Sequence, residues 1–167
     1  MITLRILHVL SAMFWVGALL FNAFFLLPAI TASGPSAGPV MAALQKRGMM
    51  ITLPIVGVLT ILSGFTMLWL LSGGAIGAYA ATRVGRVFTM AGGFAFIAFV
   101  FGMVVARPAG MAVGKLAREI ATAGDAKERE TLQQRLAAMQ RRVAWSSTLV
   151  TVLVLAAAVG MAVARYV

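Results

Sequence analysis

The chain of 167 residues has no cysteine, one histidine and four acidic residues. Without cysteine there is no disulfide, no thiolate metal ligand and no thiol nucleophile. His8 is the only imidazole, and Glu119, Asp125, Glu128 and Glu130 are the only carboxylates. That inventory is too small for a zinc hydrolase, a paired-carboxylate hydrolase or a Ser-His-Asp enzyme. No apolar run contains an acid, which counts against a transporter that relays protons or holds cations through an intramembrane carboxylate. No catalytic residue is assigned.

Charge in general is scarce. Only 11% of the residues are charged and 62% are hydrophobic, with a mean hydropathy of +0.99. Soluble domains carry roughly a quarter charged residues, so the chain reads as one all-α membrane domain over residues 1–167. Four apolar runs, at about 2–30, 49–72, 83–105 and 145–164, have the roughly 20 residues that a helix needs to cross a bilayer. The first run is too long for a signal peptide and has only Arg5 as a charged leader, so it is expected to span.

Residues 31–48 form a Gly/Pro/Ser-rich connection, and Gly73-Gly74 stops the second run. The next connection, 75–82, is short enough to make spans two and three antiparallel neighbours. Pro108 is expected to kink or interrupt the third run as it exits. Residues 111–144 hold all four acids together with a repeat of Leu132, Leu136, Met139 and Val143 at heptad-like spacing. Val113, Leu116 and Ile120 supply a facing stripe, and Asp125 with Glu128 makes a capping-box-like start to a helix. The expected fold is therefore a four-helix transmembrane bundle, with a helical hairpin over 111–144 extending spans three and four.

The net charge of +10 is distributed between the runs. Arg5, Arg83, Arg86 and Arg165 fall on one side, and the other ten basic residues fall on the side of the first and third loops. The positive-inside rule then places the hairpin in the cytoplasm and both termini outside, in a cell (inner) membrane. Nothing in this placement resembles a nucleic-acid-binding face. The bilayer is the expected partner, joined by other membrane subunits or a second copy of the chain, because small residues such as Gly57, Gly64, Gly92 and Gly93 permit close helix approach.

On the first run His8, Ser11, Trp15, Ala18 and Asn22 recur at three or four residues, and so share one helix face. Asn22 would be costly against lipid, which turns this face into the bundle. An ionisable residue within a span is by default a functional candidate. Neutral imidazole suits iron, copper or zinc, and Arg5 lies one turn outward as a charge partner. A haem with iron on His8 and propionates on Arg5, Arg83, Arg86 or Arg165 fits this pattern. So does a histidine hydrogen-bonded to a carbonyl, with arginines as interfacial anchors. Eleven methionines suggest Cu(I), but no Met-x-Met or Met-x-x-Met cluster occurs.

The opening Leu7-His8-Val9-Leu10-Ser11-Ala12-Met13-Phe14-Trp15-Val16-Gly17, followed by Leu27-Pro28, resembles the first span of the copper-resistance D-like integral membrane proteins and related small four-span proteins. The shared pattern is H-x6-W-x-G. The run is more distantly similar to the first span of the bacterial membrane protoporphyrinogen oxidases, small haem-binding bundles. Those carry Pro-Arg after the span where this chain has Pro28-Ala29, so the oxidase activity is not carried over. The resemblance implies a haem b or copper ligand at His8, with Arg5 as charge partner and Trp15 as a packing wall. The alternative is a non-catalytic accessory or structural subunit of a larger membrane complex.

Overall fold

The computed structural model describes residues 1–33 and 37–167, and every element among them is helical. In chain order they are α1 (Ile2–Phe21), a π turn (Asn22–Leu26), α2 (Leu27–Ala32), α3 (Ala37–Lys46), α4 (Met49–Leu71), α5 (Ile76–Ala81), α6 (Arg83–Phe101), a second π turn (Gly102–Ala106), α7 (Arg107–Thr122), α8 (Ala126–Val163) and a closing 3₁₀ turn (Ala164–Tyr166). Four continuous helices are long and apolar enough to cross a membrane: Ile2–Ala32, Met49–Leu71, Arg83–Thr122 and Ala126–Tyr166.

Each helix packs most closely on its antiparallel neighbour, α1 on α4 and α6 on α8, and the contacts of α4 with α6 and of α1 with α8 close a four-cornered bundle. Polarity runs inside out relative to a soluble protein. Ser11, Thr60, Ser63, Ser146 and Thr151 are buried, whereas Phe14, Phe24, Leu62, Phe65, Phe96 and Val159 are exposed. Apolar side chains gain nothing by leaving lipid, so the interior holds small and hydroxylated residues that let backbones approach. Ser11, Thr60, Ser63 and Ser146 donate to a carbonyl three or four residues back in their own helix, and among the described residues no fully buried side-chain nitrogen or oxygen lacks a partner.

The Gly/Pro/Ser-rich connection is more ordered than its composition suggests. Residues 34–36 of it lie outside the described residues, but α3 occupies most of the remainder, with Pro39 at its third position, where a missing N–H costs little. Gly48 (φ +82°) turns the chain from α3 into α4, and Gly73 and Gly74 (φ +59° and +84°) end α4, as expected of residues that enter the left-handed region freely.

Pro108 does not break the third helix. It sits at the start of α7 directly after the second π turn, and Pro28 has the same relation to the first. In an α-helix the proline ring meets the carbonyl four residues back. Here the preceding turn widens, and Leu27 N–H and Arg107 N–H reach five residues back to the carbonyls of Asn22 and Gly102. The chain stays helical because each π turn absorbs the conflict.

Thr82 caps α6, its Oγ1 accepting from Gly85 N–H at 3.0 Å. Asp125 caps α8 through Lys127 N–H at 3.4 Å, and Glu128 lies in the first turn. α7 and the first half of α8 pack together, with Val113, Leu116, Ile120, Leu132, Leu136, Met139 and Val143 half-buried.

Candidate functional site

The helix-one stripe faces inward. Ser11 and Trp15 are the buried residues of α1, and His8 and Asn22 are half-buried. His8 lies against α4, where its Nδ1 is 2.9 Å from the Thr60 carbonyl oxygen and 3.1 Å from Ser63 Oγ. A carbonyl only accepts, so in the neutral ring Nδ1 carries the proton and Nε2 keeps the lone pair. Ser63 Oγ sends its own proton back along α4, 2.6 Å from the Leu59 carbonyl, and so presents a lone pair to His8.

Gly64 forms the floor under the ring. A Cβ on Gly64 would lie 2.7 Å from His8 Cε1, closer than carbon atoms pack. The imidazole is thus fixed from two sides, by a donor bond at one edge and by backbone beneath. Nε2 has no hydrogen-bond partner among the described residues. Arg5 is one turn outward on α1 and exposed. Arg83, Arg86 and Arg165 belong to helix ends at the same end of the bundle, where Arg165 Nη2 donates to Tyr166 Oη at 2.8 Å.

Trp15 is not part of this cluster. It lies two turns further along α1, about 10 Å from His8 by helical rise, and meets Phe99 of α6 edge-on with ring centroids 6.1 Å apart. Gly57 of α4 makes room for both: a Cβ there would be 2.8 Å from Phe99 and 3.2 Å from Trp15. Trp15, Ala98, Val150 and Val154 make the hydrophobic core.

Family models, curated proteins and solved structures were all compared with the chain, and none matches. The site therefore rests on its own geometry. Among the described residues there is no group of three or more His, Cys, Asp or Glu side chains that could hold a metal ion. What the cluster can provide is a single oriented imidazole nitrogen.

The sequence reading missed Thr60 and Ser63. Their spacing with Gly64 (i, i+3, i+4) puts all three on one face of α4, and that was the signal available. It also missed the convergence of Met41, Met49, Met50 and Met103. They line a cavity of about 190 Å³ beyond Trp15 and Phe99, together with Asn22, Arg107 and Ser147. They come from separate segments, so no local spacing could reveal them.

Proposed function

We propose that this is a multi-pass membrane protein that binds a haem through His8, with Nε2 as an axial ligand. One observation carries the reading: the Nδ1–H bond to the Thr60 carbonyl. Histidines that ligate metals almost always donate their other ring N–H to a carbonyl or carboxylate, which fixes the tautomer and the ring plane. Haem would fit the donor set better than copper, because it brings most of the iron's ligands itself and would ask His8 for a single imidazole nitrogen. A copper site would need further ligands near His8. Arg5, one turn outward on α1 and exposed, would then be a cation available to the propionates. A haem bound there would supply a one-electron iron couple at the end of the bundle that the positive-inside count places outside the cell, with α7 and the start of α8 forming the cytoplasmic hairpin.

The test is an oxidised-minus-reduced absorption spectrum of the full chain, purified in mild detergent from haem-replete cells, with iron analysis on the same sample. A Soret band is expected in the wild type and not in His8→Ala, while Ser63→Ala retains the band. A helical His8→Ala variant with an unchanged Soret band refutes the assignment, and so does wild-type protein without haem or stoichiometric iron.

A second reading, an accessory subunit of a larger membrane complex, is favoured by a different observation. A Cβ built at Gly17, Gly92 or Gly93 would meet no atom within 4 Å, so these helix faces are open to close approach by another helix. Purification as a lone monomer in mild detergent would count against it.

A further inference from the structure

The cavity beyond Trp15 and Phe99 is separate from the His8 cluster and lies toward the opposite end of the bundle. α1 and α6 run in the same direction at diagonal corners, and the Trp15–Phe99 contact joins them across the interior. Seven residues past that contact on each helix, about 10 Å further, stand Asn22 and Ala106. Arg107 follows at once, and all three line the cavity. The cavity therefore has an aromatic floor, apolar walls that include four methionines, and three polar side chains in its lining: Asn22 and Arg107 at one level near its mouth, and Ser147 from α8. Its volume of about 190 Å³ exceeds the roughly 150 Å³ apolar cavity that admits benzene.

The two mouth groups lack partners. Asn22 has no side-chain hydrogen bond among the described residues, although an amide at lipid depth needs one. Arg107 is exposed and forms no ion pair among them; the ion pair present there is Lys115–Glu119. The walls suit an adaptable apolar guest, because thioether side chains repack readily.

We propose that this cavity binds a membrane-dissolved amphiphile, with its apolar chain directed at Trp15 and Phe99 and its oxyanion head held by Arg107 and Asn22. The head is a carboxylate or a lipid phosphate, both of which accept hydrogen bonds from guanidinium and amide groups. Neither the haem reading nor His8 enters this argument.

Trp15 is a reporter already in place, being 5% exposed and so shielded from bulk lipid. The full chain carrying Trp69→Phe and Trp145→Phe, in phosphatidylcholine nanodiscs, is titrated with dibromostearic acid, whose bromines quench nearby indole. Saturable quenching of Trp15 is expected. Arg107→Gln should weaken it about tenfold, the loss of one charge-assisted bond, and Ala106→Leu, which fills the cavity mouth, should remove its saturable part. In a second arm the nanodisc lipid carries brominated chains, either as phosphatidylglycerol or as phosphatidylcholine. Preferential quenching by phosphatidylglycerol that Arg107→Gln abolishes assigns a phosphate head, whereas saturation by dibromostearate alone assigns a carboxylate. The proposal is overturned if quenching rises without saturation and no probe exceeds brominated phosphatidylcholine. It is also overturned if quenching by the favoured probe is unchanged in both Arg107→Gln and Ala106→Leu.

Discussion

Gly64→Ala tests whether backbone and carbonyl together hold the imidazole. The added Cβ would lie 2.7 Å from His8 Cε1 and 3.2 Å from Nδ1. Carbon atoms settle at about 3.5 Å, so the ring must retreat by roughly 0.8 Å. The Nδ1–O distance to Thr60 is 2.9 Å, and a retreat of that size along the bond takes it beyond about 3.5 Å, where a hydrogen bond is no longer made. Overpacking costs about 1–3 kcal/mol, and an interhelical bond in a bilayer contributes about 0.6–1.7 kcal/mol. The opposing gain from replacing glycine within a helix is at most about 1 kcal/mol. Gly64→Ala should therefore destabilise by about 1–3 kcal/mol. In a His8→Ala background the obstacle is gone, and the same substitution should be neutral or stabilising. Unfolding in mixed micelles titrated with SDS and followed by far-UV circular dichroism gives the four stabilities of the cycle. A coupling of at least about 1 kcal/mol is expected between residues in contact. If the two effects add to within about 0.5 kcal/mol, the ring is not held where the structure puts it.

Two further outcomes probe the frame around the site. Thr82→Ala removes the cap of α6 and should cost about 1 kcal/mol in the same unfolding assay, with Thr82→Ser close to wild type; equal losses in both would exclude the cap. Deleting Val104, an exposed residue of the second π turn, should be tolerated only together with Pro108→Ala. With Pro108 retained, closing the turn to α geometry should cost about 3 kcal/mol or more, and equal stability of the two deletion variants would mean that proline does not enforce the turn.

Much of this architecture is written in long-range hydropathy. Four spans are legible because an apolar run of 20 residues has few other uses, and Gly73-Gly74 is legible as a stop because both residues take positive φ. The inward face of α1 is legible for a related reason: His8, Ser11, Trp15 and Asn22 share it, and turning Asn22 to lipid would strand an amide. Other features depend on tertiary detail. Thr60 and Ser63 satisfy their hydroxyls within α4, as such residues do in any apolar helix, so nothing in their own segment marks them as partners of His8. α3 was hidden by the glycine and proline around it, whose helix-breaking effect is weak in a first turn. The methionines of the cavity are separated by up to 62 positions, from Met41 to Met103, and only the folded bundle assembles them.

The cavity itself has a covalent origin. Pro28 and Pro108 each force a π turn, and the two turns directly follow α1 and α6, the diagonal pair whose side chains must meet to fill a four-helix interior. One level back, Trp15 and Phe99 are large enough to meet, and Gly57 on α4 is small enough to let them. At the level of the turns, the second π turn offers Gly102 and Ala106, and a Cβ on Gly102 would find its nearest neighbour, Val150 Cγ2, only at 3.9 Å. Small side chains on widened turns cannot close the diagonal, so space persists beyond a tightly packed aromatic floor. An empty apolar cavity forfeits dispersion contacts around its whole lining. In a bilayer that loss is recovered whenever a lipid chain enters, with no water to displace. The same two prolines that interrupt the helices therefore leave a volume that the surrounding membrane is chemically suited to fill, and Arg107 and Asn22 at its mouth select which of the membrane's amphiphiles does so.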